Sequence, residues 1–429
     1  MAEIKPFQGF LYNKEKHDVS KEITLPYDKI SPEQQKKYYE TSETNLVHVI
    51  LGLPSDDDND SNNKYTRARD YFDKWIKNKD VIRDNALCLY IYDEEFLSPL
   101  DGKKFNRTGL ISMLKLEEFD KGIVLPHEKT LSKPKADRLD LIRKCNRHFG
   151  QIFGLYKDES FVIENILFQE MKKDPYYDII TKEEHIRHRL WRIENPDTLE
   201  KIIKEFKNKK VYIADGHHRY ETGINFRNEM REKYPKQAQT GAFNYILMTL
   251  VNYKNKGLVV LPTHRVLEKF KNIKVSEFIS SLEKYFSVKR FSCDQKDLFL
   301  KEFKSLKSEM AYGLKLKQDD KYYLLTLTDD KYKKELNVKV LHELILGNIL
   351  GITEKEVREE AYIKYVRLDN EALGAVENKE AEMVFLLKPI AVKQVLDISD
   401  KKEVMPQKST DFYPKLYTGI VMSDFLGVK

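Results

Sequence analysis

The sequence predicts an α/β or α+β protein, and three observations carry that prediction. Val211–Ala214 is a short apolar run of strand type, the chain turns at once through Asp215-Gly216, and apolar side chains then recur at helical spacing, Tyr220 with Ile224 and Phe226 with Met230. Other short β-rich runs lie on both sides of this unit, among them Ala86–Tyr92 and Asn244–Asn252. Apolar residues make up 41% of the 429 residues and aromatics 11%, enough to build a core that offsets the entropy of ordering.

Taken in order, the acidic stretch Ser55–Asn63 reads as an exposed loop or the start of a helix, and Tyr65, Arg69, Phe72, Trp75 and Ile76 continue it at helical spacing. Ala86–Tyr92 and Thr108–Leu114 read as strands, as does Gly122–Leu125. Ser132–Arg147 reads as a helix opened by Pro134, with Leu139, Ile142 and Cys145 on one side. His185 and His188 with Arg187 and Arg189 read as a basic stripe on a solvated face. After the central strand and helix, which meets no proline before Pro235, Asn244–Asn252 and Gly257–Leu261 are expected to pair as a hairpin through Tyr253–Lys256. Mixed segments from Val275 to Asp330 suggest helix and strand in a smaller lobe, with Lys321–Leu327 its clearest strand. A helix over Leu341–Leu350 stops at Gly351, and Ala381–Leu387 is a further buried strand. Met405–Lys415 is neither polar enough for disorder nor periodic enough for a regular element, so it is expected to dock.

Composition excludes several classes. Lys and Arg number 75 against 69 Asp and Glu, a net charge of +6, and no block of consecutive basic residues forms a nucleic-acid arm. Nucleic acid is therefore not expected as a partner. Cys88, Cys145 and Cys293 lie too far apart for a zinc ribbon or redox pair, which suits a reducing compartment. The N-terminus carries no apolar signal core, and no stretch approaches the roughly 20 residues that span a bilayer. A cytoplasmic protein without a membrane partner is expected. Asn106-Arg107-Thr108 matches a glycosylation sequon that such a location leaves unused.

The chemistry concentrates at Asp215-Gly216-His217-His218-Arg219. A glycine between strand and helix permits a tight turn and brings N–H groups of the helix N-terminus toward a ligand, a geometry that favours anions. The histidines and Arg219 would add neutralising charge and directed donors. Asp215 would hold a magnesium ion or accept a proton, or alternatively cap the helix. Adjacent histidines on a helix point about 100° apart, so His217 and His218 do not share one metal ion. No H-E-x-x-H, Walker-type loop or G-x-S-x-G elbow occurs.

These residues carry a resemblance. The chain resembles, over nearly its whole length, the family catalogued as domain of unknown function 1015, whose members bear the same Asp-Gly-His-His-Arg signature. Further blocks match in order: Lys5-Pro6-Phe7 with Tyr12-Asn13; Leu25-Pro26-Tyr27-Asp28 with Ile30-Ser31; Pro126-His127-Glu128 with Thr130; Lys135 with Asp137-Arg138; Pro262-Thr263-His264-Arg265; and Met405-Pro406 with Lys408-Ser409-Thr410 through Tyr413-Pro414-Lys415. Leu25 departs from the pattern, standing where a second proline is expected. Locally, over Val211–Arg227, the signature is also similar to that of the ParB and sulfiredoxin superfamily, which includes free-serine kinases bearing Asp-Gly-His-His-Arg.

The resemblance implies a ParB-like core at 116–265, an N-terminal portion at 1–115 packed on it, an α+β lobe at 266–400 and a tail at 401–429 returning to the site. It implies phosphoryl transfer from ATP or ADP, with Mg²⁺, to a small hydroxy metabolite, free L-serine first among them. In that scheme Gly216, His217, His218 and Arg219 cradle phosphate, joined by His264, Arg265, Lys408, Ser409 and Thr410. Asp215 or Glu128 orients or deprotonates the hydroxyl, with His218 beside them, and Tyr27, Asp28 and His127 are weaker substrate contacts. A nucleotide-binding regulatory protein without net catalysis is the alternative. A nuclease would need a denser carboxylate cluster than the sequence contains.

Overall fold

The strand Val211–Asp215 explains its own apolar sequence, because both of its faces are covered. Val211 and Ile213 pack into one core cluster while Tyr212 and Ala214 pack into another, the alternation that a pleated strand imposes. It lies one strand from the edge of a nine-stranded sheet whose order is Val124–Leu125, Val211–Asp215, Ile152–Tyr156, Tyr245–Asn252, Lys104–Lys115, Leu89–Leu97, Arg187–Ile193 and Tyr177–Ile180, with Ile4–Lys5 also paired to Lys104–Lys115. The sheet is mixed: Val211 pairs parallel with Val124, and Ile213 pairs antiparallel with Gly154. The protein is thus a mixed α/β structure, described by a computed structural model over residues 1–128, 133–308, 310–333 and 335–425. Thr130 and the side chain of Lys135, both within the matching blocks, lie outside the described residues. Among the described residues no helix is long and apolar enough to cross a membrane.

One face of the sheet is covered by the helices Val162–Glu170 and Pro196–Phe206, through Ile163, Leu167, Leu199, Ile202 and Phe206. The other face meets the helix Lys64–Lys77 through Ala68, Phe72 and Trp75, in a cluster that continues into a second sheet. Asn63 starts that helix, its side chain accepting from the N–H groups of Tyr65 and Thr66, so the acidic stretch ends as a capping box. The second sheet has six strands, in the order Phe286–Phe291, Tyr322–Leu327, Ala311–Leu316, Met383–Leu386, His264–Leu267 and Ile363–Val366.

Three expectations need correction. Tyr245–Asn252 does not pair with the run that follows it: Lys104–Lys115 occupies one of its edges and Ile152–Tyr156 the other. Val259–Leu261 pairs instead with Asp411–Tyr413. The basic stripe is not one surface, because strand alternation turns its members to opposite faces. Arg187 and Arg189 reach Asp178 and Asp93, whereas His188 is buried between Tyr92 and Thr181. The expected helix Leu341–Leu350 is present over Leu341–Ile349, but it is a π-helix that continues the α-helical turn Asn337–Val340.

The expected boundaries also cross the sheets. Strands from 1–115 run through the middle of the sheet that carries Val211–Asp215, and His264–Leu267 belongs to the second sheet. The segment after Met405 threads between these layers. Phe10 and Met422 exchange backbone hydrogen bonds, as do Thr24 and Thr418. Arg107, 1% exposed, donates to the carbonyls of Tyr413 at 3.3 Å and Pro414 at 2.6 Å while paired to Glu94 at 2.5 Å. Burial pushes the Glu94 carboxyl up to about 7 despite Arg107.

Candidate functional site

Gly216 ends the central strand with φ +94 and opens the helix His217–Lys233. Only a residue without Cβ takes this conformation freely. An added Cβ would also lie 3.0 Å from the Arg219 guanidinium. Gly216→Ala is expected to cost about 1–2 kcal/mol of stability for the left-handed backbone alone and to displace Arg219. Urea unfolding checks the first part and a crystal structure of the mutant the second.

Gly216 at the cap position has no side chain to offer, and both oxygens of Asp215 are taken by Lys415 and Arg219, so Asp215 is not a cap; the positive end of the helix dipole faces this turn. A register shift between Ile213 and Asp215 takes Asp215 out of the strand's alternation. Its Oδ1 accepts from Lys415 Nζ at 2.9 Å and its Oδ2 from Arg219 Nη2 at 2.9 Å. Lys415 also meets Asp411 Oδ1 at 2.9 Å, and the other Asp411 oxygen accepts from Arg367 Nε. The result is a row of alternating charge, Arg219, Asp215, Lys415, Asp411 and Arg367. Burial alone would raise the Asp215 pKa, but Lys415 and then Arg219 hold it well below the carboxylate range. Burial opposes the charge of Lys415 too, and Asp215 and Asp411 more than offset it.

This pairing bears on two roles expected of Asp215. A carboxylate held this far below its ordinary range is a poor general base, and each of its oxygens already serves a cation. Among the described residues no group of three or more His, Cys, Asp or Glu side chains is arranged to hold a metal. A magnesium ion held by phosphates and one carboxylate would share Asp215 with Lys415 and Arg219.

Glu128 is different. Its side chain is 20% exposed, and its Oε1 lies 3.5 Å from Thr410 Oγ1, whose proton goes to His127 Nε2. Burial raises its pKa, with Lys408 acting against that shift and Asp215 adding to it. Backbone pairing with Met405 fixes its place, since Met405 N–H donates to the His127 carbonyl at 2.8 Å.

The histidines brace the loop rather than charge it. His127, fully buried, faces the Ile213 carbonyl through Nδ1 at 2.7 Å, so Nδ1 carries the proton and Nε2 accepts from Thr410 Oγ1 at 2.8 Å. Burial lowers its pKa to about 4. The His127 backbone N–H donates to His217 Nε2 at 3.3 Å, and burial, then His127, push His217 well below the ordinary range. In the protein without ligand, burial therefore leaves both rings neutral, and the ring nitrogens of His127 are engaged by Ile213 and Thr410. His218, at the same turn, accepts from the Thr222 hydroxyl through its carbonyl at 2.7 Å.

Other expected residues divide. His264 is buried in the second sheet, its Nδ1 accepting from Leu387 N–H at 3.1 Å and its Nε2 2.8 Å from Asp369, so these partners and not a ligand use its ring. Arg265, 1% exposed, donates to the carbonyls of Thr263 and Lys408 and to His342 Nε2, and its guanidinium lies 5.2 Å from the Tyr365 ring centre. It positions the 406–410 turn instead of reaching a phosphate itself. Ser409 is buried and closes that turn by donating to the Pro406 carbonyl at 2.5 Å, while Lys408 is exposed. Tyr27 lies under the Arg138 guanidinium at 4.0 Å, and Asp28 beside it is exposed. Tyr27, Ile50, Arg138, Leu141, Phe149 and Arg219 line a mainly apolar cavity against the helix N-terminus.

Arg367 was not among the residues singled out from sequence, and Asp411 and Lys415 entered only within the matching block Met405–Lys415 with no role assigned, Lys415 as a lone cation among Phe412, Tyr413, Leu416 and Tyr417.

Residues 4–344 match the family described as "Protein of unknown function (DUF1015)". No curated protein matches the sequence. Solved structures overlap it distantly. A conserved hypothetical protein from Pyrococcus furiosus shares 14% identity, covering 75% of this chain and 95% of its own, with a TM-score of 0.34. A free serine kinase in complex with AMP shares 14%, covering 78% and 94%, at 0.33. SbnI with a C-terminal truncation, from Staphylococcus aureus, shares 8%, covering 74% and 86%, at 0.35.

Proposed function

The chain belongs to the DUF1015 family, and from that premise we propose that it is a nucleotide-dependent phosphotransferase acting on a small hydroxy metabolite, with free L-serine the leading acceptor. The observation that carries this reading is Glu128: a largely buried carboxylate with a raised pKa, beside a row of fixed charges that ends at Arg219 and the N-terminus of the helix His217–Lys233. A base, cations and the positive end of a helix are parts that phosphoryl transfer uses.

The nucleotide base would occupy the cavity lined by Tyr27 and Phe149, and its phosphates would meet the first-turn amides and Arg219. Glu128 takes the proton of the acceptor hydroxyl as that oxygen bonds to the terminal phosphorus. The bond from that phosphorus to the bridging oxygen breaks, and ADP leaves from ATP, or AMP from ADP. Arg219 and the amides meet the charge that develops on the phosphoryl oxygens. Asp215 and Lys415 touch no reacting atom in this scheme; they fix Arg219.

The test is direct. Purified full-length protein is incubated with the magnesium salt of ATP or ADP and L-serine, and phosphoserine is sought by mass spectrometry. Arg219→Ala is expected to weaken nucleotide binding by about 2 kcal/mol or more, the scale of removing one partner from a buried charged hydrogen bond. Equal affinity in calorimetry would remove the loop from the reading. Tight nucleotide binding with no phosphorylated product from serine or related alcohols would give the regulatory alternative precedence.

A further inference from the structure

Thr410 stands between His127 and Glu128, and its hydroxyl has a single proton to give. The direction of that proton is fixed from the central strand. The Ile213 carbonyl can only accept, and it lies 2.7 Å from His127 Nδ1, so Nδ1 bears the hydrogen. His127 is fully buried and neutral, which leaves its Nε2 an acceptor. Thr410 Oγ1 lies 2.8 Å from that nitrogen and 3.5 Å from Glu128 Oε1, and the proton goes to the nearer partner. What Thr410 turns toward Glu128 is therefore a lone pair. Two oxygens with no proton between them do not close to the roughly 2.5–3.0 Å of an O–H···O bond, and 3.5 Å is the separation found. The place of Thr410 does not depend on Glu128, because Arg265 donates to the Lys408 carbonyl at 3.3 Å and the Ser409 hydroxyl to the Pro406 carbonyl at 2.5 Å.

We infer that Thr410 is a positioning residue for Glu128: its hydroxyl oxygen accepts the O–H that Glu128 acquires on taking the acceptor's proton. This inference rests on the phosphotransferase reading. While Glu128 is charged, the pair stays open. Once the acceptor's proton has moved to Glu128 and the acceptor oxygen has bonded to phosphorus, a turn about the Cγ–Cδ bond aims the new O–H at Oγ1. The chain of hydrogen bonds then runs from Glu128 through Thr410 and His127 to the Ile213 carbonyl. The proton afterwards leaves to water on the exposed side of the carboxyl. A bond made only to the neutral acid strengthens the base, because it favours the state that follows proton transfer. Other groups also act on Glu128. Burial and Asp215 favour the neutral acid, Lys408, the backbone of Thr410 and Lys415 favour the carboxylate, and Arg265 and Tyr365 lie within electrostatic reach. All of them remain when only the Thr410 hydroxyl is removed.

The direction of the bond can be read without turnover. The full chain is labelled with ¹³C at the glutamate carboxyls and titrated by NMR, the Glu128 signal being assigned by its loss in Glu128→Gln. Thr410→Val should lower the Glu128 midpoint by about one pH unit, the scale of one neutral hydrogen bond, and Thr410→Ser should restore it. Were Thr410 a donor to the carboxylate, or a packing residue alone, Thr410→Val would raise the midpoint or leave it in place, and either result overturns the inference. Circular dichroism melts show whether the Val variant folds. If it does not, ¹⁵N NMR of the wild-type His127 ring decides: a protonated Nδ1 with a bare Nε2 at neutral pH is the expected state, and a protonated Nε2 overturns the inference. In turnover, the acid limb of kcat should move down in Thr410→Val by as much as the carboxyl midpoint does, with nucleotide affinity within about twofold of wild type. A midpoint that moves while the acid limb stays would overturn the positioning role. A wild type that forms no phosphorylated product would sink the phosphotransferase reading alone, because the carboxyl titration decides the hydrogen bond by itself.

Discussion

Replacing Lys415 by methionine is expected to cost the folded state about 3–5 kcal/mol, the largest stability loss any single side chain of the site should produce. The residue is 7% exposed and, among the described residues, is the one that bonds both Asp215 and Asp411. Without it two buried carboxylates face each other across the gap, compensated by Arg219 and Arg367 on their outer sides and by Lys29 at longer range. The pH dependence carries a sign. Asp215 and Asp411 are depressed below their ordinary 3.8, so their contribution is complete above that value and is lost as pH falls through the depressed range. Lys415 is raised above its ordinary 10.5, so its contribution is complete below that value and is lost only as pH rises beyond it. Urea unfolding of wild type and mutant should therefore differ most between about pH 4 and pH 10, with the gap narrowing in acid. A mutant as stable as wild type at pH 7 would show that the row contributes nothing to the fold.

Glu128→Gln is expected to lower kcat by about 10²–10⁴ while nucleotide affinity changes little, because the amide keeps the shape and loses the base. Glu128 is raised above its ordinary 4.5, so the wild-type rate should fall on the acid side at a pH above that value. The mutant's residual rate should show no such limb. A mutant with wild-type kcat would move the base elsewhere, and Asp215, locked between two cations, is poorly suited to replace it.

The strand, turn and helix around Gly216 were legible because their signals are local: apolar alternation, a glycine with positive φ, and four-residue spacing all lie within a few residues of one another. Asp-Gly-His-His-Arg drew attention to the right turn but not to the charge states within it. Burial decides those, and the buried partners of His217 and Asp215 come from His127 and Lys415, far along the chain. The hairpin expected at Tyr245–Leu261 failed for the same kind of reason. Adjacent strands usually pair, but the flanking edges of Tyr245–Asn252 are taken by Lys104–Lys115 and Ile152–Tyr156, which no local pattern reveals. His264 and Arg265 follow a strand, as a ligand-binding pair often does, and only the second sheet shows that one braces Leu387 and Asp369 and the other the 406–410 turn.

The docked segment also sets an order in time. Asp215 meets Lys415 across 200 residues of chain, and His127 meets Thr410 across 283. Contacts of such separation require closure of long loops, whose entropy must be met before the contact stabilises anything, and chains dominated by them fold slowly. Helices such as His217–Lys233 can form early from their own residues, whereas the row from Arg219 to Arg367 closes only when the late-sequence segment arrives. Refolding chains should thus pass through a stage with much of their native helicity and no ligand site. In a stopped-flow experiment from urea, far-UV dichroism should recover first and nucleotide binding should lag behind it, with the lag lengthened by Lys415→Met.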